Sequence, residues 1–155
     1  EVLQRLTGSP PVGYRSPSWE LSEHSLELLA ERGFRYDSSL MGDDAPYWVE
    51  SPRGALVEVP VHWVLDDAPY FVHAPAAGRT SPLKSPDEVY NIWRAEFEGL
   101  YHYGRAFTLT LHPQFIGRPG RLLMLERLIT HIRSFKHVPF LRLDEVCELW
   151  ERRGR

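Results

Sequence analysis

Phe107-Thr108-Leu109-Thr110-Leu111-His112-Pro113-Gln114 decides how this chain is read. Five residues fit for a buried, pleated strand run into a histidine, and proline at once forces the chain out of the strand. A titratable side chain at such a strand end is where α/β enzymes keep their chemistry. A second stretch of the same construction, Gly13-Tyr14-Arg15-Ser16-Pro17-Ser18-Trp19, places a guanidinium at the end of a short strand over Val12 to Arg15.

Working outward, the first residues to Leu6 read as the last turn of a helix, ended by Thr7-Gly8-Ser9-Pro10-Pro11. Ser22 is the expected N-cap of a helix to Arg32 that turns Leu26 and Leu29 inward, with Gly33 as its left-handed stop. Tyr47 to Glu50 and Ala55 to Val61 flank the turn Ser51-Pro52-Arg53-Gly54 and read as a hairpin or two short strands. Asp66 to Lys84 lacks periodicity and suggests a surface loop at a pocket rim.

Ser85 caps the clearest helix, with Pro86 at its first position. Val89, Ile92, Trp93, Phe97, Leu100 and Tyr101 recur at helical spacing until Gly104. After Gly117-Arg118-Pro119-Gly120 another helix carries Leu122, Leu125, Leu128, Ile129, Ile132 and Phe135 on its apolar stripe. Val138 to Leu141 reads as a further strand, and Asp144 as the cap of a last helix ending near Gly154. Strands alternating with helices favour an α/β architecture with parallel strands and right-handed crossovers, in a single domain over residues 1–155.

Composition narrows the function. With 43% apolar and 12% aromatic residues the chain is globular, and a net charge of -3 gives no electrostatic footprint for nucleic acid. No apolar run reaches the roughly 20 residues that span a bilayer, so no membrane partner is expected. Cys147 is alone, which removes disulfides and cysteine-based zinc sites and fits a reducing, cytoplasmic location. Starting at Glu1 without methionine, the chain reads as a fragment or processed product.

His112 is the foremost catalytic candidate, because imidazole can give or take a proton near neutral pH. Arg15 offers five fixed donors that could hold a carboxylate, or it could pair with a neighbouring acid and merely bridge two elements. In His62-Trp63-Val64-Leu65-Asp66-Asp67 a carboxylate could orient an imidazole while Trp63 floors a ring-shaped substrate. Adjacent aspartates are also commonly an N-cap and its solvated neighbour. His62, His112, Asp66 and Asp67 could in principle ligate a metal, but no pair has the helical spacing that makes such a site specific, so no metal ligand is assigned. His24, His102 and His131 sit on helices among charged residues and read as solvated, and Asp43-Asp44 as turn chemistry.

Taken together with Gly33-Phe34-Arg35-Tyr36-Asp37-Ser38-Ser39-Leu40 and Val59-Pro60-Val61-His62-Trp63, the two opening stretches resemble the polysaccharide deacetylase superfamily, also called NodB-homology or carbohydrate esterase family 4. The similarity is to the branch of peptidoglycan-deacetylase-like and allantoinase-like proteins. It implies the C-terminal part of a distorted (β/α) barrel that hydrolyses an amide, usually the N-acetyl group of an amino sugar. A divalent metal, zinc foremost, would activate water there.

By that resemblance His112 matches the general acid and Arg15 the arginine that orients a catalytic aspartate. Asp66 or Asp67 matches the acid that tunes the histidine. Tyr14, Trp19, Trp63 and Gln114 are the candidates for substrate contact. The family's Thr-Phe-Asp-Asp-Gly and His-x-x-x-His motifs are not in these residues, so the base and every metal ligand would come from elsewhere and this segment alone would not turn over. The expected partners are an acetamido-sugar or small amide substrate, together with the missing half of the barrel or a second chain, as in a homo-oligomer. An allantoinase-like enzyme would open a cyclic amide without metal. A degenerate carbohydrate-binding or assembly module would keep the aromatics without needing His112 to titrate.

Overall fold

A computed structural model describes residues 1–154. In chain order the elements are α1 (Val2–Thr7), β1 (Gly13–Tyr14), α2 (Ser25–Glu31), β2 (Tyr36–Asp37), β3 (Tyr47–Ser51), β4 (Gly54–Glu58), α3 (Ala68–Phe71), α4 (Pro86–His102), α5 (Pro113–Ile116), α6 (Pro119–Arg133) and α7 (Leu143–Glu151). Single 3₁₀ turns occupy Pro17–Trp19, Trp63–Leu65 and Pro75–Ala77. The class is α/β, as the alternation of signals predicts. The described residues form two compact units, one of residues 1–61 with the C-terminal stretch from Phe140, the other of His62–Pro139.

In the first unit the strands lie in the order β1-β2-β4-β3, with β1 and β2 parallel, β2 and β4 parallel, and β3 antiparallel to β4. The expected hairpin is present: Ser51 pairs with Gly54, and the Ser51 hydroxyl donates to the Gly54 carbonyl at 2.7 Å. Strand β4 is central, so Leu56, Val57 and Glu58 are all buried rather than alternating. Helix α7 covers the sheet, burying Cys147 against Val57 and Val59 with Tyr36, Trp48 and Trp150 around them. Its far end is fastened by Arg35, whose guanidinium donates to both carboxylate oxygens of Glu151.

Glycine is needed at position 13 because the Tyr36 ring occupies its side-chain space: a Cβ there would overlap the ring. Just beyond, Ser18 and Trp19 both take left-handed backbone angles, with φ of 55° and 59°. Such angles are costly away from glycine, and hydrogen bonds from Trp19 N–H to Ser16 and from Glu20 N–H to Pro17 hold the turn closed.

The second unit is built on α4 against α6. Helix α4 begins where the sequence says it must: the Ser85 hydroxyl accepts from Glu88 N–H, and the Glu88 carboxylate accepts from Ser85 N–H. Val89, Trp93 and Phe97 of α4 meet Met124, Leu128 and Ile132 of α6, with Leu65, Phe71 and Ile116 completing the core.

Several expected boundaries move. Helix α2 starts at Ser25 because the Ser22 hydroxyl is bonded to the Ser25 hydroxyl instead of capping. On α6 it is Met124 that is buried, whereas Leu122 is 42% exposed. No strand forms over 138–141: Pro139 lacks a donor, and Phe140 and Leu141 are exposed. Asp144 lies inside α7, where it takes the Arg142 guanidinium, and the Arg142 N–H is met by the Glu145 carboxylate. The stretch Phe107 to Leu111 contributes one parallel bridge, Thr110 to Asp66, since its partner coils into a 3₁₀ turn and cannot extend the ladder. The expected loop over 66–84 includes α3 and a 3₁₀ turn.

Candidate active site

That single bridge assembles the site. Thr110 N–H donates to the Leu65 carbonyl at 2.8 Å, and Asp67 N–H donates to the Thr110 carbonyl at 3.1 Å. The two strand ends are thus fixed side by side, with Asp67 next to His112. Behind them, the Val64 carbonyl accepts from the Trp93 indole at 2.9 Å and from the Tyr70 hydroxyl at 3.0 Å. Trp93 is fully buried, so the segment carrying the aspartates is pinned to the core of its unit.

Asp67 is itself fully buried, and its carboxylate grips His112 twice. Oδ2 accepts from the His112 backbone N–H at 3.0 Å, and Oδ1 accepts from ring Nδ1–H at 2.6 Å. The pairing fixes the tautomer: with Nδ1 occupied by a donated proton, Nε2 is the ring atom left to exchange a proton with a reactant. The side chain is 37% exposed, so the ring is held at Nδ1 and only part-buried. Pro113 starts α5, whose Phe115 and Ile116 N–H groups donate to the His112 carbonyl, and the Phe115 ring lies 5.4 Å from the imidazole.

The neighbouring aspartate does something else. Asp66 Oδ1 accepts from Ala68 N–H at 2.6 Å, an N-terminal contact for α3, and stands 3.7 Å from the imidazole Nδ1. The ring is therefore oriented by Asp67, a distinction that the sequence leaves open.

Asp66, Asp67 and His112 are the group of three among the described residues whose ligand atoms, all within 4.8 Å of one another, could hold a metal ion. The donor chemistry does not fit one. Asp67 Oδ1 and the ring Nδ1 are already spent on each other and Oδ2 on the His112 backbone N–H, so a cation there would have to break the pairing that orients the ring.

Arg15 lies in the other unit, half-buried at the exit of β1. Its Nε donates to the Ser38 carbonyl at 2.9 Å and a terminal nitrogen donates to the Ser38 hydroxyl at 2.6 Å. The guanidinium is thus held by Ser38, just past the end of β2. Of the other candidates, Tyr14 stands edge-on to Phe34 at 6.4 Å, Trp19 is half-buried in its strained turn, Trp63 is 48% exposed, and Gln114 is exposed on α5. His131 is not simply solvated: its Nε2 is 3.0 Å from the Glu98 carboxylate. Asp43 does serve a turn, accepting from Asp44 and Ala45 N–H groups.

Sequence reasoning missed a buried pair of acids in the first unit. Asp37 and Glu58 are register partners on β2 and β4, and both are fully inaccessible. Burial, helped by the Asp37 charge, pushes Glu58 up to about 8, and burial also raises Asp37. The only sign in the sequence is an acid inside the apolar run Leu56-Val57-Glu58-Val59.

No protein family model matches the chain. It is 33% identical to the peptidoglycan deacetylase of Helicobacter pylori, over 96% of this chain and 59% of that protein. A Mycobacterium smegmatis crystal structure assigned as a polysaccharide deacetylase superposes with a TM-score of 0.91 at 38% identity, over 97% of this chain and 53% of that one. The crystal structure of PuuE allantoinase gives a TM-score of 0.85 at 26% identity, over 99% of this chain and 50% of that one. The chain thus spans about half the length of the relatives it matches, and the part it matches is their C-terminal portion.

Proposed function

We propose that this chain, whose relatives are peptidoglycan and polysaccharide deacetylases, is the C-terminal part of a catalytic domain that hydrolyses the N-acetyl amide of an amino sugar. The observation that carries the reading is the Asp67–His112 pair: a buried carboxylate on Nδ1 of a part-exposed imidazole leaves Nε2 as the atom of a proton donor held in one orientation. In amide hydrolysis, water oxygen adds to the carbonyl carbon and the C–N bond breaks. The departing nitrogen must be protonated, because an amide anion is too poor a leaving group. His112 Nε2 supplies that proton, and Asp67 stabilises the imidazolium from which it comes. Acetate and the free amine leave.

In this reading Arg15 orients an aspartate base that the remaining length of the protein contributes, and Trp63, Trp19, Tyr14 and Gln114 contact the sugar. A divalent metal, zinc by resemblance, would supply water activation from ligands outside these residues.

Acetate release from N-acetylated oligosaccharide by the full-length protein tests the assignment, run with and without chelator. His112→Ala should cost at least about a hundredfold in turnover, the low end of a general acid's contribution. Turnover within a few-fold of wild type would remove His112 from the chemistry. Arg15→Lys should also be damaging, since an ammonium cannot reproduce the fork.

The likeness to PuuE allantoinase supports a second reading, ring opening of a small cyclic amide with the same proton donor. Chelator-resistant opening of such a ring, with no acetate released from the oligosaccharide, would select it.

A further inference from the structure

Four residues stand in one row across the sheet of the first unit. Tyr14 on β1 pairs with Asp37 on β2, Asp37 pairs with Glu58 on β4, and Glu58 pairs with Tyr47 on β3. The two middle members are acids, side by side on parallel strands and both fully buried. Like charges so placed repel, and nothing in a dry core screens them.

The hydrogen bonds show how the conflict is relieved. Glu58 Oε1 accepts from the N–H groups of Ser39 and Leu40, both at 2.9 Å. Asp37 accepts from Ser39 N–H at 3.0 Å and from the Ser39 hydroxyl at 3.1 Å. Glu58 Oε2 is buried and receives no donor among the described residues, while Asp37, its carboxylate sharing the Ser39 N–H with Glu58, is the register neighbour. An undonated acceptor oxygen on one of two neighbouring buried acids is the place for a shared proton.

What the pair holds is the segment Ser38-Ser39, and that segment holds Arg15. Ser38 takes the Arg15 guanidinium on its carbonyl and hydroxyl, while its own hydroxyl donates to the Val59 carbonyl at 2.7 Å. Ser39 accepts from Ser16 N–H at 2.9 Å on the oxygen that donates to Asp37. We propose that Asp37 and Glu58 share a single proton, and that this protonated pair is the positioning device that keeps the Arg15 guanidinium aimed.

When the proton leaves, two charges meet, the Ser39 turn they share is pushed apart, and Arg15 loses its fixed acceptors. The inference rests on the proposed function only for what Arg15 then does in catalysis. Other titratable groups bear on the row. Asp43 and Tyr47 lie on the β3 side, and the Tyr47 phenol is raised by burial and by the charges of Glu58 and Asp37. Tyr36 on β2 is raised by burial and by Asp144 and Cys147 of α7, and lowered by Arg15. From α2, Glu27 is taken by Arg53.

The test reads the proton and the arginine separately. In the full-length protein at pH 6, infrared spectra should show the C=O stretch of a buried carboxylic acid, lost in Glu58→Gln and titrating in wild type with a midpoint near pH 8. In the same titration, exchange of the Arg15 Nε–H, followed by nitrogen-edited NMR, should accelerate relative to Arg35 Nε–H by about tenfold or more. Arg35 is the internal reference, being bonded to Glu151. Glu58→Gln, whose amide donates to Asp37 at every pH, should hold that ratio constant.

A missing acid band in wild type, or midpoints that differ between band and ratio, overturns the proposal whether or not the variant folds. So does an unchanged titration of the ratio in a folded Glu58→Gln. If the ratio behaves as expected but Arg15→Lys keeps full turnover, the positioning stands and the functional reading of Arg15 falls.

Discussion

Asp67→Asn is the most searching change that can be made at the candidate site. The aspartate accepts two hydrogen bonds from His112, one from the backbone N–H at 3.0 Å and one from ring Nδ1–H at 2.6 Å. Asparagine keeps the shape but has one acceptor and one donor. Its oxygen can satisfy the backbone N–H, which leaves its amide N–H facing Nδ1, so the ring must switch tautomer and present Nδ1 as the acceptor. The imidazolium then has no carboxylate to stabilise it, and the variant should lose the whole general-acid contribution. That is about 10²–10⁴ in kcat, or roughly 3–5 kcal/mol of barrier. KM should change little, because Asp67 holds the proton donor rather than the bound substrate. The assay is acetate release under saturating substrate, paired with nitrogen NMR of the imidazole to read the tautomer. A variant that keeps kcat within about threefold of wild type, a change of under 1 kcal/mol, while its tautomer has switched would refute the role given to the pair.

Three further outcomes follow from geometry elsewhere. Gly13→Ala should lower stability by about 1–3 kcal/mol in a denaturant titration, the usual cost of overpacking, because the new methyl would meet the Tyr36 ring. A loss of less than half that would mean the ring can swing aside. Cys147 is fully buried, and burial pushes its thiol up to about 12, so a disulfide reagent at pH 7 should leave it unmodified until the protein unfolds. Stability itself should fall with rising pH: folded Glu58 keeps its proton to about pH 8, whereas the unfolded chain releases it near 4.5. The native state's advantage is full below that lower value and is lost as pH rises through the upper one. Thermal melting should follow this slope in wild type, at most about 1.4 kcal/mol per pH unit for one group, and flatten in Glu58→Gln.

How much of this was legible depended on how local the signal was. Helix α4 was readable because every determinant sits within its own residues: the Ser85 cap, Pro86, the returning Glu88 and the stripe Val89, Trp93, Phe97. His112 was readable because strand-forming residues precede it and proline follows it. Its partner was not, since the choice of Asp67 over Asp66 is made by contacts between segments distant in sequence, Asp67 and His112 being 45 residues apart, that turn one carboxylate toward the ring and the other toward Ala68. The two-residue strand Tyr36–Asp37 has no periodicity to detect. The strand over Phe107 to Leu111 was over-read for the opposite reason: its composition suits a ladder, but ladder formation needs a straight partner, and 63–65 coils.

The two buried acidic sites differ in a way that donor counting explains. Asp67 sits in a core position where each of its oxygens meets an N–H, both from His112. It can therefore serve as a fixed negative partner for a proton that moves elsewhere. Glu58 has two N–H donors on one oxygen and none on the other, with Asp37 as its neighbour, so here the proton itself is the missing partner. One arrangement suits a group that assists proton transfer, the other a group that stores a proton to hold a loop. An acid that reads in sequence as an ordinary strand residue thus acquires its chemistry from the number of N–H groups the fold turns toward it.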